Sequence, residues 1–274
     1  MAIEIRSLTY SYFDEPVLGH IDMVLGEGQI HILLGPNGSG KTTLGLAIAG
    51  VIVPGMGSVR VDGEDPASND FDRSRVQLAF QFPEEQMFEV TVEAEIAFGL
   101  KNFGVGPAEA KERSEWALGC VGLSADMLRR APDELSYGEM RKVALASVIA
   151  LRPRYLILDE PLAGLDWKSR RGLIESLEAL KTEGVTTLVL THEPDLPAEI
   201  GDTVSLLVDG LLESGPTPTA EFFYPAGGRA DEVDFEYLPD IVRVLRGLRR
   251  SGVPVSGRPV REAAIINAIF RGQV

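Results

Sequence analysis

Apolar residues come in short unbroken runs along much of the chain. They are Ile30-His31-Ile32-Leu33-Leu34, Val76-Gln77-Leu78-Ala79-Phe80, Tyr155-Leu156-Ile157-Leu158 and Val185-Thr186-Thr187-Leu188-Val189-Leu190. Runs of this length without polar alternation predict strands covered on both faces, as in a parallel sheet. Near the N-terminus the pattern changes to a looser alternation. Residues 3–10 and 20–25 read as strands, and Ser58–Gly63 reads as a strand ending in a turn. Val204–Leu207 and Leu211–Glu213, joined by Asp209-Gly210, read as a hairpin.

Between the strands the spacing becomes helical. Helices are predicted to start at Leu44 after Gly35–Thr43, and over Val92, Ile96, Phe98 and Leu100. Gly104-Val105-Gly106-Pro107 breaks the pattern, and a charged, Ala-rich helix follows over Ala108–Val121. Another opens after Leu135-Ser136, with Met140, Val143, Ala144, Ser147 and Val148 as its apolar face, and one runs from Trp167 to about Glu183. Strands alternating with helices predict an α/β fold. The segment 91–151 reads as a helical insertion between strands. Pro216–Gly228, rich in Pro, Gly and Thr, reads as a linker. Beyond it, Ile241, Val242, Leu245 and Leu248 have helical spacing, and Val260–Phe270 suggests a second helix. Some forty residues seldom fold alone, so this tail is expected to pack on the core or on a second subunit.

The chemistry concentrates at strand ends. Gly35-Pro36-Asn37-Gly38-Ser39-Gly40-Lys41-Thr42-Thr43 follows the first buried strand and precedes a helix. In that context G-x-x-x-x-G-K-[ST] is a phosphate-binding loop. Glycines let successive N–H groups turn toward an anion, and the helix N-terminus adds partial positive charge. Lys41 reaches outer phosphates, and Thr42 offers a hydroxyl to Mg²⁺. Tyr155–Leu158 ends in Asp159-Glu160. Asp159 suits a metal ion, and Glu160 suits the proton of an attacking water. Gln81, at the end of another strand, can place its amide oxygen on metal or water. His192, at the end of the next, can hold a phosphate or that water, or serve structure. Ser136 stands where it either caps a helix or helps form a second anion site. Tyr12, or else Phe13, can stack on a base.

Composition narrows the setting. The net charge is −15 over 274 residues, with a pI near 4.7, which disfavours broad nucleic-acid binding and adhesion to anionic lipid. Cys120 is the only cysteine, so neither a disulfide framework nor a cysteine metal site is expected. No apolar run approaches the ~18 residues of a membrane span, and no signal peptide is evident. A cytoplasmic location follows as the expectation.

Residues 2–215 resemble the ATP-binding subunits of ABC transporters, with the family's motifs in the family's order. Gly35–Thr42 matches Walker A, Gln81 the Q-loop, Leu135–Glu139 the LSGGQ signature, Asp159 and Glu160 the Walker B pair, Asp166 the D-loop and His192 the switch histidine. The resemblance implies a P-loop core, an antiparallel β subdomain and a helical signature subdomain at about 88–150. Together these form residues 1–215, and a small extension occupies 216–274. It implies ATP and Mg²⁺ as ligands, held by Walker A with Thr42, Gln81 and Asp159. It further implies a head-to-tail dimer, with the same or a related chain, in which Ser136, Gly138 and Glu139 meet the partner's nucleotide. Tyr137 replaces the family's usual Gly, and Glu139 its usual Gln.

The segment Phe80–Phe88, with Thr91-Val92 and Ile96-Ala97-Phe98-Gly99, looks like the ATPases of energy-coupling factor transporters. That resemblance implies a motor for metal-ion or vitamin uptake, on the inner face of the cell membrane. Its partners would be a polytopic scaffold docking near Glu84, Glu85 and Glu89, and a substrate-binding membrane component. A soluble ABC ATPase of iron–sulfur assembly or nucleic-acid maintenance is the rival, and co-purification with a membrane protein separates the two.

Overall fold

The structure is a computed structural model describing residues 2–81, 87–224 and 237–251. β1 (Ile3–Tyr12), β2 (Glu15–Leu25) and β4 (Met56–Val61) form an antiparallel sheet in the order β2-β1-β4. β3 (Ile30–Leu34), β5 (Val76–Ala79), β6 (Tyr155–Asp159), β7 (Thr186–Thr191), β8 (Thr203–Val208) and β9 (Leu211–Pro218) form a second sheet, ordered β5-β6-β7-β3-β8-β9. Its first five members are parallel, and β9 is antiparallel.

The unbroken apolar runs explain the centre of this sheet. Every residue of β3, β6 and β7 is buried, as expected of strands covered on both faces. The β8–β9 turn has Asp209 and Gly210 both at positive φ, 46° and 75°, the conformation of a tight hairpin turn.

α1 (Lys41–Ile48) leaves β3 through the glycine-rich loop and begins at Lys41 rather than at Leu44. α2 (Val92–Asn102), α3 (Pro107–Cys120) and α4 (Tyr137–Ile149) form the helical insertion between β5 and β6. Val92, Ile96, Leu100, Ala117, Leu118, Val143 and Ile149 bind it to the core containing Leu156, Leu158 and Val189. α5 (Trp167–Thr182) covers the same side through Leu173, Leu177 and Leu180. The other side packs Leu33, Ile157, Leu188 and Leu190 on α1 and the antiparallel sheet. α6 (Leu196–Ile200) links β7 to β8.

Several boundaries differ from the sequence expectation. β1 runs past the expected residues 3–10 to end at Tyr12, and Phe80 falls beyond β5. The apolar face of α4 is wider than expected: Leu145, Ala146 and Ile149 are buried with Val143 and Ala144, as is Arg141. Residues 216–218 belong to β9, and α7 (Thr219–Phe223) follows directly, so the expected linker begins inside folded structure. α8 (Asp240–Arg250) realises the first tail helix. Its Val242 is fully buried among Leu34, Val204, Phe222 and Phe223, and its Leu245 is fully buried as well, so α8 packs on the core of its own chain. The expected helix at Val260–Phe270, and Glu84 and Glu85, lie outside the described residues, as do the side chains of Ile241 and Leu248.

Candidate functional site

The carboxyl ends of parallel strands are where open α/β sheets gather ligands. Here the ends of β3, β6 and β7 lie side by side. The loop after β3 carries Gly38 and Gly40 at φ of 80° and 99°. Backbone crowding is the second constraint: a Cβ at Gly35 would sit 2.1 Å from the Leu207 carbonyl oxygen. Such a curl needs glycine. The β8–β9 turn props the loop from below, because the Gly210 N–H donates to the Ser39 carbonyl at 3.1 Å.

Lys41 is buried and spans the loop, its ammonium donating to the carbonyls of Gly35 (2.8 Å) and Pro36 (2.9 Å). Burial depresses its pKa, against the opposing pull of Glu160 and Asp159. The Thr42 hydroxyl donates to Asp159 Oδ2 at 2.6 Å, joining loop to strand end. Burial raises the Asp159 pKa; the Thr42 hydrogen bond works in the other direction. Buried Ser39 Oγ has no hydrogen-bond partner among the described residues. A loop with an orphaned hydroxyl, a buried ammonium and a helix N-terminus fits phosphate. The paired Thr42 and Asp159 oxygens are a hard donor set that fits Mg²⁺.

Glu160 follows Asp159 with φ of 46°, a left-handed conformation rare for a side-chain-bearing residue. Its Oε1 accepts from the His192 N–H (3.0 Å) and meets His192 Nδ1 at 2.7 Å, and its Oε2 accepts from the Thr191 hydroxyl at 3.0 Å. Asn37, Gly38, Gly40, Lys41, Thr42 and Thr43 line a cavity of about 200 Å³ with Gln81, Asp159 and Glu160. Residues separated widely in sequence thus share one cavity. Val17 lines it too, a residue that sequence reasoning passed over because an isolated Val in a strand carries no chemical signal.

Other expected site residues lie elsewhere among the described residues. Tyr12 is not in the cavity lining and packs edge-on against Tyr10, with ring centroids 4.9 Å apart. Phe13 is wholly exposed. Ser136 caps α4 through a reciprocal box: its hydroxyl accepts from the Glu139 N–H, while Glu139 Oε2 accepts from the Ser136 N–H (2.9 Å) and hydroxyl (2.7 Å). The Ser136 hydroxyl holds the Glu139 carboxyl below its ordinary value. Gly138 faces α5, where a Cβ would meet Ser169 Oγ at 2.2 Å. None of these three lines the Lys41 cavity.

Comparison with known proteins agrees with this architecture. Residues 18–163 match the family described as ABC transporter. An energy-coupling factor transporter ATP-binding protein EcfA2 from Streptococcus sanguinis (strain SK36) is 36% identical over 95% of this chain and 96% of its own length. The EcfA2 of Streptococcus pyogenes serotype M5 (strain Manfredo) is 34% identical with the same coverage. A solved structure of cbiO1 from Clostridium perfringens, described as part of the ABC transporter complex cbiONQ, superposes with a TM-score of 0.75. It is 27% identical and covers 91% of this chain and 96% of that one. The cavity, the strand-end carboxylates and these matches agree: the chain belongs to the ATP-binding proteins of ABC transporters, in the energy-coupling factor group.

Proposed function

We propose that this protein is the ATP-hydrolysing motor of an energy-coupling factor importer. The observation that carries the reading is the meeting of Lys41, the Thr42–Asp159 pair and Glu160 in one cavity at the mouth of α1. The backbone from Gly35 to Thr43 receives the phosphates, and Lys41 exchanges its loop carbonyls for phosphate oxygens. Thr42 and Asp159, with Gln81, would hold Mg²⁺, which would supply charge neutralisation for the phosphates when bound. Glu160 accepts the proton of the attacking water, and His192 and Thr191 fix the direction of its carboxylate. Tyr12 contacts the base. Ser136, Gly138 and Glu139 meet the nucleotide of a second ATPase subunit, identical or related, paired head to tail.

Similar proteins are described as parts of transporters, which supports membrane partners for this chain. Among the described residues no helix is long and apolar enough to cross a membrane. We place the protein on the inner face of the cell membrane, bound to a polytopic scaffold. Phe88 and Val90 are exposed, and Phe88 packs edge-on against Phe98 on α2. They supply an apolar floor beside Glu89, suited with Glu84 and Glu85 to a partner helix bearing Arg. A separate membrane component binds the transported substrate.

Glu160→Gln tests the chemistry. Nucleotide binding is expected to persist while turnover falls roughly 10²-fold or more. Wild-type turnover in that variant would overturn the assignment.

A further inference from the structure

Arg141 is buried to 2% exposure, on the first turns of the signature helix α4. Its guanidinium reaches across to the turn after β6. Nη2 donates to the Glu160 carbonyl at 2.9 Å, and Nε donates to the Pro161 carbonyl at 3.1 Å. Nη1 donates to the Tyr137 hydroxyl at 3.4 Å, one turn back on α4. On its other side, the Glu160 N–H donates to the Leu190 carbonyl at 2.9 Å. The Glu160 backbone is therefore tied to β7 through its nitrogen and to α4 through its oxygen. Between those ties it holds a φ of 46°. Such a conformation is strained for a residue with a side chain and persists only where surroundings over-determine it. Arg141 supplies the tie on the α4 side, its planar guanidinium holding two successive carbonyls in one rigid fork.

We infer that Arg141 is a positioning residue for Glu160. It holds the strained turn that aims the Glu160 carboxylate, and it makes the signature helix one side of that turn. Arg141 is not in the lining of the phosphate cavity, so it acts through Glu160 and not on nucleotide. Any displacement of α4 when Ser136 and Gly138 engage a partner's nucleotide reaches the Glu160 backbone directly. Tyr137, where the family usually has Gly, extends the brace by accepting from the same guanidinium.

This inference rests on Glu160 acting on the attacking water, and the experiment separates the two. Arg141→Gln and Arg141→Lys are made in the full chain, with Glu160→Gln as reference. Turnover, KM and the affinity for a non-hydrolysable ATP analogue are measured for each. Arg141→Gln is expected to lower kcat by ~10- to 100-fold, the scale of a misplaced catalytic group. Its KM and analogue affinity should stay within about twofold of wild type. Arg141→Lys, able to satisfy one carbonyl, should recover part of the lost kcat. A folded Arg141→Gln with wild-type kcat overturns the inference while leaving the role of Glu160 intact. A parallel loss of kcat and analogue affinity overturns it as well, since it marks general damage. If Arg141→Gln does not fold, the Lys variant decides by the same split: a kcat loss alone supports the brace, and a parallel loss or none refutes it. Wild-type turnover in Glu160→Gln removes both readings together.

Discussion

Thr42 and Asp159 stand 117 positions apart, yet share a 2.6 Å hydrogen bond. Each was legible in the sequence because its residue type, next to a glycine loop or at the end of an apolar run, has few other uses. Arg141 was not. A basic residue on a charged helix reads as a solvated side chain, and nothing in the spacing marks it as pointing inward. Glu139 was legible as a departure from the signature, but its capping role emerged only with the hydrogen bonds to Ser136. Those bonds, aided by the charges of Arg130 and Lys142, hold its pKa below the ordinary carboxylate value. A carboxyl with a depressed folded value stabilises the fold above its unfolded value and loses that contribution as pH falls through the folded one. The wild-type protein should therefore lose part of its stability through this cap as pH falls below the ordinary carboxylate range. Glu139→Gln keeps an acceptor but no titrating group, so its denaturation midpoint should fall less steeply between neutral pH and about pH 3. Identical slopes would deny the cap its charge. Ser136→Ala should cost about 1 kcal/mol at neutral pH by denaturant titration.

At the scale of elements, the continuous apolar strands β3, β6 and β7 were the most legible, since nothing but a doubly covered strand explains them. The antiparallel sheet was harder to bound. β1 and β2 pair with repeated register shifts, and Ser7 and His20 have positive φ, so the alternation is interrupted where the strands bulge. The packing of α4 on α5 was invisible, because it depends on what one glycine lacks. A Cβ on Gly138 would lie 2.2 Å from Ser169 Oγ and 2.9 Å from Ser169 Cβ. Gly138 is thus needed for helix contact within the subunit, beside the role at nucleotide proposed above. Gly138→Ala should destabilise the protein by about 1–3 kcal/mol, the range for overpacking. Adding Ser169→Gly removes both clashing atoms and should restore part of that loss, although glycine weakens the first turn of α5. Non-additivity in a denaturation cycle is the expected signature, and strictly additive losses would show that the two helices do not press on each other there.

For the whole molecule, the tail shows what a sequence reading leaves open. Its apolar stripe called for a covering surface, and periodicity alone could not choose between core and partner. Val242 buries itself against Phe222, Phe223 and Leu34 of the same chain, and Leu245, one turn on, is fully buried too. Leu245→Ala should therefore cost about 2–5 kcal/mol of subunit stability, measured on the isolated chain by denaturant titration. The signature poses the opposite case in the head-to-tail reading proposed above, an exposed feature whose partner would be a second subunit's nucleotide. Ser136 and Gly138 sit at the start of α4 and do not line the cavity of Lys41. For both to serve one nucleotide, a second subunit must present its α4 to this cavity. Two copies paired head to tail satisfy that geometry twice through one two-fold operation. Lys41→Ala spoils the nucleotide loop of its own chain, and Ser136→Arg spoils the signature it offers to the other. Each variant alone then has no intact site. A mixed dimer has one, built from the Lys41 of one chain and the Ser136 of the other. Equal mixing should form mixed dimers about half the time, so about a quarter of wild-type sites return. ATP turnover measured across mixing ratios should peak at equal proportions. A flat baseline at every ratio, with dimer exchange verified by labelled subunits, would exclude the head-to-tail pairing of identical chains.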